Sequence, residues 1–371
     1  MAESSLRHDE RIMPALRELY RRHGYRRYRM SRFEEYDFYA ENRSFLLGGS
    51  VLTFTDLDGR LMALRPDVTL SIVKNAREAP GLQKVYYNEN VYRARPGDRS
   101  YRELPQTGLE CIGELDDYSV GEVVMLACRS LAVISGEYVL DLSHLGYISA
   151  LMDAAGLPEG DRGLLHLIRD KNGAAVRERC IRLGASEAYA DIFAELSAAY
   201  GSFDEMILLL DRFAENDRMK DAVADLRGLY RHLEICGCAE HVNIDLALMS
   251  DMRYYNGVVF QGFVPGASSA VLSGGRYDLL LQRFGRQDGA VGFAVYLDQL
   301  ERLASRDTAF DTDILLLYED GTAPEALART VRELTEAGSS VLVHRGSADG
   351  IRAERILQMT EEGVREYGSN A

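Results

Sequence analysis

Tyr92-Arg93-Ala94-Arg95-Pro96-Gly97-Asp98-Arg99-Ser100-Tyr101-Arg102-Glu103-Leu104-Pro105-Gln106-Thr107-Gly108-Leu109-Glu110 is the most informative stretch of the chain, because its second half aims polar groups at one small target. If 104–113 is a strand, its period of two puts Gln106, Gly108 and Glu110 on one face. An amide and a carboxylate then flank a bare backbone position. A glycine in a strand often marks close approach of a ligand or a neighbouring backbone, and Gln and Glu between apolar neighbours must find partners. Taken alone, the pattern also fits an amphipathic strand with a wet polar face. The preceding segment, 84–93, pairs with it across 94–100, where Pro96-Gly97-Asp98 signals a turn, so the two form a hairpin. Arg93 at its base and Arg95 and Arg99 in its loop gather cations that would suit an anion, although each alone reads as a solvated side chain.

On the amino-terminal side, apolar residues at Leu6, Ile12, Met13, Leu16, Leu19 and Tyr20 predict a helix over 7–23, stopped by Gly24. Strands over 51–55 and 61–64 flank Asp56-Leu57-Asp58-Gly59, a tight reversal. Arg65-Pro66-Asp67-Val68-Thr69 then leads into a helix, with Pro66 holding Arg65 extended. Beyond the hairpin a helix is expected over 120–134 and a strand over 138–142. Residues 145–235 shift to Ala, Leu, Arg and Glu at helical spacing, and strand signals return at 241–246, 258–264 and 270–272. The helical stretch therefore interrupts one sheet domain. Residues 292–303 read as strand into helix, and a strand over 313–318, a helix over 324–337, a strand over 340–343 and a helix from about Asp349 form a small appended β-α-β-α unit. The domain plan is a core of 1–144 and 241–305, a helical insertion over 145–240, and a carboxy-terminal α/β unit over 311–371; the fold class is α+β.

At 371 residues, with 46% hydrophobic and 27% charged residues, the chain can bury the cores of two or three soluble domains. No apolar run approaches the roughly 20 residues that span a bilayer, and the polar amino terminus lacks a secretory signal, so a cytoplasmic protein without a membrane segment is expected. Five cysteines, of which Cys236 and Cys238 are separated by one residue, suit reduced thiols rather than a metal site. No metal or cofactor is expected. The net charge of −15 argues against non-specific nucleic-acid binding, which needs Lys and Arg to displace counterions. Phosphate loops, dinucleotide fingerprints and nucleophile elbows are absent. Two further constellations remain: Met252-Arg253-Tyr254-Tyr255-Asn256-Gly257 before a strand, and Ser273-Gly274-Gly275-Arg276-Tyr277-Asp278 after one. Singly, the tyrosine pair reads as core packing and Gly274-Gly275 as a turn.

Together and in this order, these residues resemble the catalytic domain of class II histidyl-tRNA synthetases over roughly residues 1–303. Arg65 to Thr69 resembles the Arg-Pro-Glu-Gly-Thr segment. Arg93 with Gln106 to Glu110 resembles the second class II motif and its histidine-reading strand, and Tyr254-Tyr255 resembles the Tyr-Tyr element. Ser273 to Asp278 resembles the Gly-Gly-Gly-Arg-Tyr-Asp turn, and Gly292-Phe293-Ala294 the opening of the third motif. The resemblance implies a class II synthetase-like antiparallel sheet flanked by helices, assembled as a homodimer across the first motif.

The departures are informative. The position of an arginine that helps activate the amino acid is Ser250, and the third motif's Gly-x-Glu-Arg is replaced by Tyr296-Leu297-Asp298-Gln299. The acidic residue two positions after Arg93 aligns with Arg95, and the first motif's proline with Ser31. Adenylation needs fixed positive charge along the triphosphate, so losing two arginines should abolish it. The carboxy-terminal unit also looks too short for a complete anticodon-binding domain. With a histidine pocket kept and the ATP machinery degraded, the chain is similar to the regulatory-subunit family of ATP phosphoribosyltransferase, a synthetase paralogue. Asp67 and the segment Asp141-Leu142-Ser143-His144-Leu145-Gly146 also look like that family. This implies a non-catalytic chain required for the first step of histidine biosynthesis, a short-form catalytic transferase as partner in a hetero-oligomer, histidine as effector, and no nucleic-acid or membrane partner. By the same resemblance, histidine would be held by Asp67, Thr69, Arg93, Gln106, Glu110, Tyr254, Tyr255 and Tyr277. Asp67 and Glu110 would meet the ammonium or imidazole N–H groups, Gln106 and Thr69 would add hydrogen bonds, the tyrosines would wall the imidazole, and Arg93 would compensate for Ser250 at the carboxylate. The alternatives are an active histidine-activating enzyme and a purely structural stabiliser of the transferase.

Overall fold

The computed structural model describes residues 8–42, 51–76, 81–94, 100–158, 160–248, 254–304, 310–348, 350–360 and 363–368. Helix α1 (His8–Arg22) leads to strand β1 (Arg26–Arg27), and β2 (Phe33–Glu35), helix α2 (Tyr36–Glu41), β3 (Thr53–Thr55) and β4 (Leu61–Leu64) follow. Strands β2, β4 and β3 form a small sheet. The reversal between β3 and β4 is the expected one: Gly59 has φ 82°, and Asp56 Oδ1 accepts from the Asp58 and Arg60 N–H groups. Helix α3 (Val68–Asn75) then precedes the hairpin of β5 (Gln83–Ala94) and β6 (Tyr101–Gly113), paired from Gln83↔Ile112 to Ala94↔Tyr101. Its predicted turn, with Arg95 and Arg99, lies outside the described residues.

Helix α4 (Asp117–Ile134) starts three residues earlier than its apolar pattern suggests, because Asp116 and Ser119 form a reciprocal capping box. Strand β7 (Val139–His144) runs into helix α5 (Leu145–Ala154), followed by α6 (Arg162–Arg169), α7 (Gly173–Arg182), α8 (Glu187–Ala198), β8 (Tyr200–Ser202), α9 (Phe203–Arg212) and α10 (Asp217–Ile235). Next come β9 (Val242–Asp245), β10 (Val258–Phe263), β11 (Leu272–Arg276), α11 (Asp278–Arg283), β12 (Gly289–Tyr296) and α12 (Leu297–Ala304). The nine-stranded sheet has the order β1-β5-β6-β12-β11-β10-β7-β9-β8 and is antiparallel except at β1/β5 and β7/β9. The stretch over 145–240 is thus not wholly helical, since β8 extends the sheet by pairing with β9. It also shares one compact unit, Ala15–Gln299, with the rest of the sheet.

Residues from Leu300 onward belong to a second unit. Strands β13 (Thr312–Tyr318), β14 (Val341–Arg345), β15 (Ala353–Thr360) and β16 (Gly363–Gly368) form a sheet in the order β14-β13-β15-β16, with helix α13 (Pro324–Glu336) between the first two. The helix expected from about Asp349 is instead strands β15 and β16. Glu, Arg, Leu, Gln and Met in that segment favour helix, but Ile356 joins Leu315 and Leu317 on one face while Leu357 joins Ile314 and Leu316 on the other. Burial on both faces of a sheet overrides local propensity. Among the described residues no helix is long and apolar enough to cross a membrane.

Candidate functional site

The register of the large sheet hollows one of its faces. One cross-strand row reads Tyr87, Gly108, Ala294, Ser273 and the next reads Val85, Glu110, Gly292, Gly275. Small residues therefore occupy the middle of the sheet, and large neighbours fold over them. A Cβ on Gly108 would lie 2.6 Å from the Tyr87 hydroxyl, one on Gly275 would lie 2.8 Å from the Tyr255 ring, and one on Gly292 would collide with the Glu110 carboxylate. Gly274-Gly275 is thus strand rather than turn. Gly274 is bare because the Gly292 carbonyl and the Phe293 and Phe260 side chains crowd its Cβ position.

The resulting cleft, about 450 Å³ with its mouth, is lined by every one of the eight residues singled out in the sequence: Asp67, Thr69, Arg93, Gln106, Glu110, Tyr254, Tyr255 and Tyr277. Tyr87, Ser273, Gly292, Ala294 and Tyr296 also line it. Sequence reasoning did not single out Tyr87, and it placed Ser273, Gly292, Ala294 and Tyr296 in motifs but not among the ligand contacts, although the alternation of Gly292, Ala294 and Tyr296 along β12 is the pattern already used for β6. Ser250 and the segment Met252-Arg253 lie outside the described residues.

Arg65 fixes the segment that delivers Asp67 and Thr69. Wholly buried, it donates through Nη1 to the Ser31 carbonyl (2.7 Å) and through Nη2 to Glu89 and the Asn90 carbonyl (2.9 Å each). The chain then turns into α3, whose N-cap is Asp67: Oδ1 accepts from the Leu70 N–H at 2.9 Å. Asp67 Oδ2 lies 3.5 Å from Arg93 Nη2, and Arg93 Nε donates to the Pro66 carbonyl. Arg93 is the one cation among the described lining residues, and it is already partly neutralised.

Glu110 forms the buried end. Only 2% exposed, it accepts from Tyr277 Oη at 2.5 Å and from Thr69 Oγ1 at 2.8 Å. Burial pushes its carboxyl up to about 8, against the pull of those two hydroxyls and with help from Asp67. Among the described residues no cation pairs with it. Burial likewise raises the phenols of Tyr87, Tyr254, Tyr255 and Tyr277 well above the ordinary value, so they remain hydroxyls. Tyr254 and Tyr277 also belong to the core cluster with Val68, Leu70 and Leu280, so packing and cleft wall are one function. Chemically, the arrangement suits a small ligand that brings N–H groups or positive charge to Glu110.

Gln299, at the place of the third-motif arginine, lies in the first turn of α12 and does not line the cleft. Its Oε1 accepts from Ser269 and its Nε2 donates to Asp298. All five cysteines are free thiols, and among the described residues no group of His, Cys, Asp and Glu could hold a metal.

The histidyl-tRNA synthetase family profile matches residues 1–300. An ATP phosphoribosyltransferase regulatory subunit from Oceanobacillus iheyensis is 27% identical over 90% of this chain and 84% of its own length. One from Caldanaerobacter subterraneus subsp. tengcongensis is 30% identical over 83% of each. Among solved structures, an ATP phosphoribosyltransferase regulatory subunit/histidyl-tRNA synthetase from Bacillus halodurans superposes with a TM-score of 0.73 at 28% identity over 94% of both chains. A Nostoc histidyl-tRNA synthetase, 17% identical with a TM-score of 0.72 over 95% of this chain and 87% of its own, shares the fold.

Proposed function

Since this chain belongs to the histidyl-tRNA synthetase family and, within it, to the ATP phosphoribosyltransferase regulatory subunits, we propose that it is the non-catalytic, histidine-sensing partner of a short-form catalytic transferase. It would act as a homodimer within the hetero-oligomer. The observation that carries the reading is Glu110, buried and, among the described residues, without a cation partner, at the end of a cleft that collects all eight expected residues. Free histidine fits with its imidazole deep, against Glu110 among the tyrosines, and its ammonium and carboxylate toward the less buried Asp67 and Arg93. Thr69 acts through Glu110, which it helps to orient. Gln106 adds its amide.

Activation of histidine by ATP would need cations along a triphosphate, and Gln299 supplies none. Feedback inhibition needs histidine to favour a less active arrangement of the complex. The test is to mix the purified chain with a short-form transferase and assay with and without histidine, alongside histidine-dependent exchange of pyrophosphate into ATP. The reading expects transferase activity that depends on this chain and falls with histidine, and no exchange. Exchange turnover would establish the histidine-activating enzyme instead. Activity with histidine binding only to the catalytic partner would leave a structural stabiliser.

The pose also sets the pH dependence. Imidazole and Glu110 share one proton in the complex, whereas the free partners titrate separately, the imidazole near about 6.5 and Glu110 at about 8. Below the lower value a proton must leave on binding; above the higher one a proton must be taken up. Affinity measured by calorimetry should therefore peak between the two values and fall about tenfold per pH unit on either side. A monotonic rise with pH would remove the imidazole from Glu110.

A further inference from the structure

A second cleft, of about 700 Å³ with its mouth, lies on the opposite face of the same sheet, lined by Asp117, Val120, His144, Asp225, Leu229, Asn256, Gly257, Val258 and Arg276. Val258 and Arg276 are one step out of phase with the paired residues Val259 and Gly275, so they point away from the tyrosine-walled cleft. Its walls carry opposite charges that are only partly neutralised. On the sheet side, Arg276 Nε donates to Asp278 Oδ2 at 2.8 Å, and Asp278 is itself held by the Asn256 amide and the Ala290 N–H. This fixes the guanidinium and leaves its two terminal nitrogens without a hydrogen-bond partner among the described residues. On the helix side stand Asp117 of α4 and Asp225 of α10, and neither is ion-paired to Arg276. His144, 6% exposed, spends Nδ1 on accepting the Tyr147 N–H as the cap of α5, so its proton sits on Nε2, 3.5 Å from Asp225 Oδ2. Val120, Leu229 and Val258 make the space between apolar.

A prearranged cation facing carboxylates across an apolar gap is complementary to a small molecule with an anionic end, a cationic end and a short body. We propose that this cleft binds a free amino acid, with its carboxylate on Arg276 and its ammonium on Asp117 and Asp225. His144 is a positioning residue that orients Asp225. The site is independent of the tyrosine-walled cleft and of the function proposed for it.

The experiment titrates the proteinogenic amino acids, one at a time, into the full chain carrying Glu110→Gln, which disables the first cleft, with binding read by calorimetry. At least one should bind with a dissociation constant of about 1 mM or tighter. Asp225→Asn, at a side chain 58% exposed and so dispensable for folding, should weaken that binding about tenfold. Leu229→Phe, which fills the gap, should abolish it. No binding by any amino acid up to about 10 mM would overturn the proposal. Binding that Asp225→Asn leaves unchanged would overturn it too.

Discussion

Glu110→Gln should weaken histidine binding at least about 30-fold, corresponding to the roughly 2 kcal/mol or more lost when one member of a buried, hydrogen-bonded charge pair is removed. The same substitution should make the unliganded protein more stable, and the two signs together identify a side chain kept for binding. Burial raises the Glu110 carboxyl from 4.5 to about 8 in the folded chain. A raised carboxyl favours the folded state fully below its unfolded value, and that contribution is lost as pH climbs through the folded value. Wild type therefore loses stability between about 4.5 and 8, and glutamine, which does not titrate, loses none. The gain should be small near the lower pH, grow across the interval and level off above it. Tyr277→Phe should cost less in binding, since it removes one hydrogen bond to the carboxylate and leaves the one from Thr69. Melting curves and calorimetry on the same preparations decide the matter. Histidine binding that survives Glu110→Gln intact would remove Glu110 from the site, and a variant less stable than wild type above pH 8 would assign the residue a structural duty.

The legible part of this site was local. Gln106, Gly108 and Glu110 share a face because a strand has a period of two, and that reading needs no knowledge of what pairs with the strand. The Tyr254-Tyr255 pair was ambiguous between core and wall, and the ambiguity is physical: Tyr254, clustered with Val68 and Leu280, and Tyr255, packed against that cluster, do both. What remained hidden depended on long-range register. The pairing of Gly292 with Glu110 and of Ala294 with Gly108 turns scattered small residues into a cavity, and nothing within either strand specifies it. Gly274-Gly275 misled for a similar reason, since two adjacent glycines serve a turn through their freedom and serve a strand through the room they leave. In the carboxy-terminal unit, β15 is made of helix-favouring residues, and only the partners on its two faces make it a strand.

Arg65 shows the same limit most sharply, and its removal should have the largest effect on stability. In the sequence it is a charged residue before a proline; in the fold it is fully buried and ties its own segment to two others, through Ser31 and through the adjacent Glu89 and Asn90 of β5. Arg65→Met keeps the bulk but strands the Glu89 carboxylate, 16% exposed, and two carbonyls without their donor. Breaking a buried pair by removing one partner destabilises by about 3–5 kcal/mol. At roughly 2–4 °C per kcal/mol for a domain of this size, the melting temperature should fall by about 6–20 °C. Lysine should not rescue it, because a point charge cannot reach three acceptors held in the plane of a guanidinium. Histidine binding should weaken as well, since Asp67 and Thr69 follow directly on the loosened residue. One Arg65 atom, Nε, has no hydrogen-bond partner among the described residues, so the pair is not ideally solvated even in the native fold. If Arg65→Met melted within about 2 °C of wild type, the buried guanidinium would be contributing no more than the apolar contacts of its stem, and the rigidity of the Asp67 segment would have to come from α3 alone.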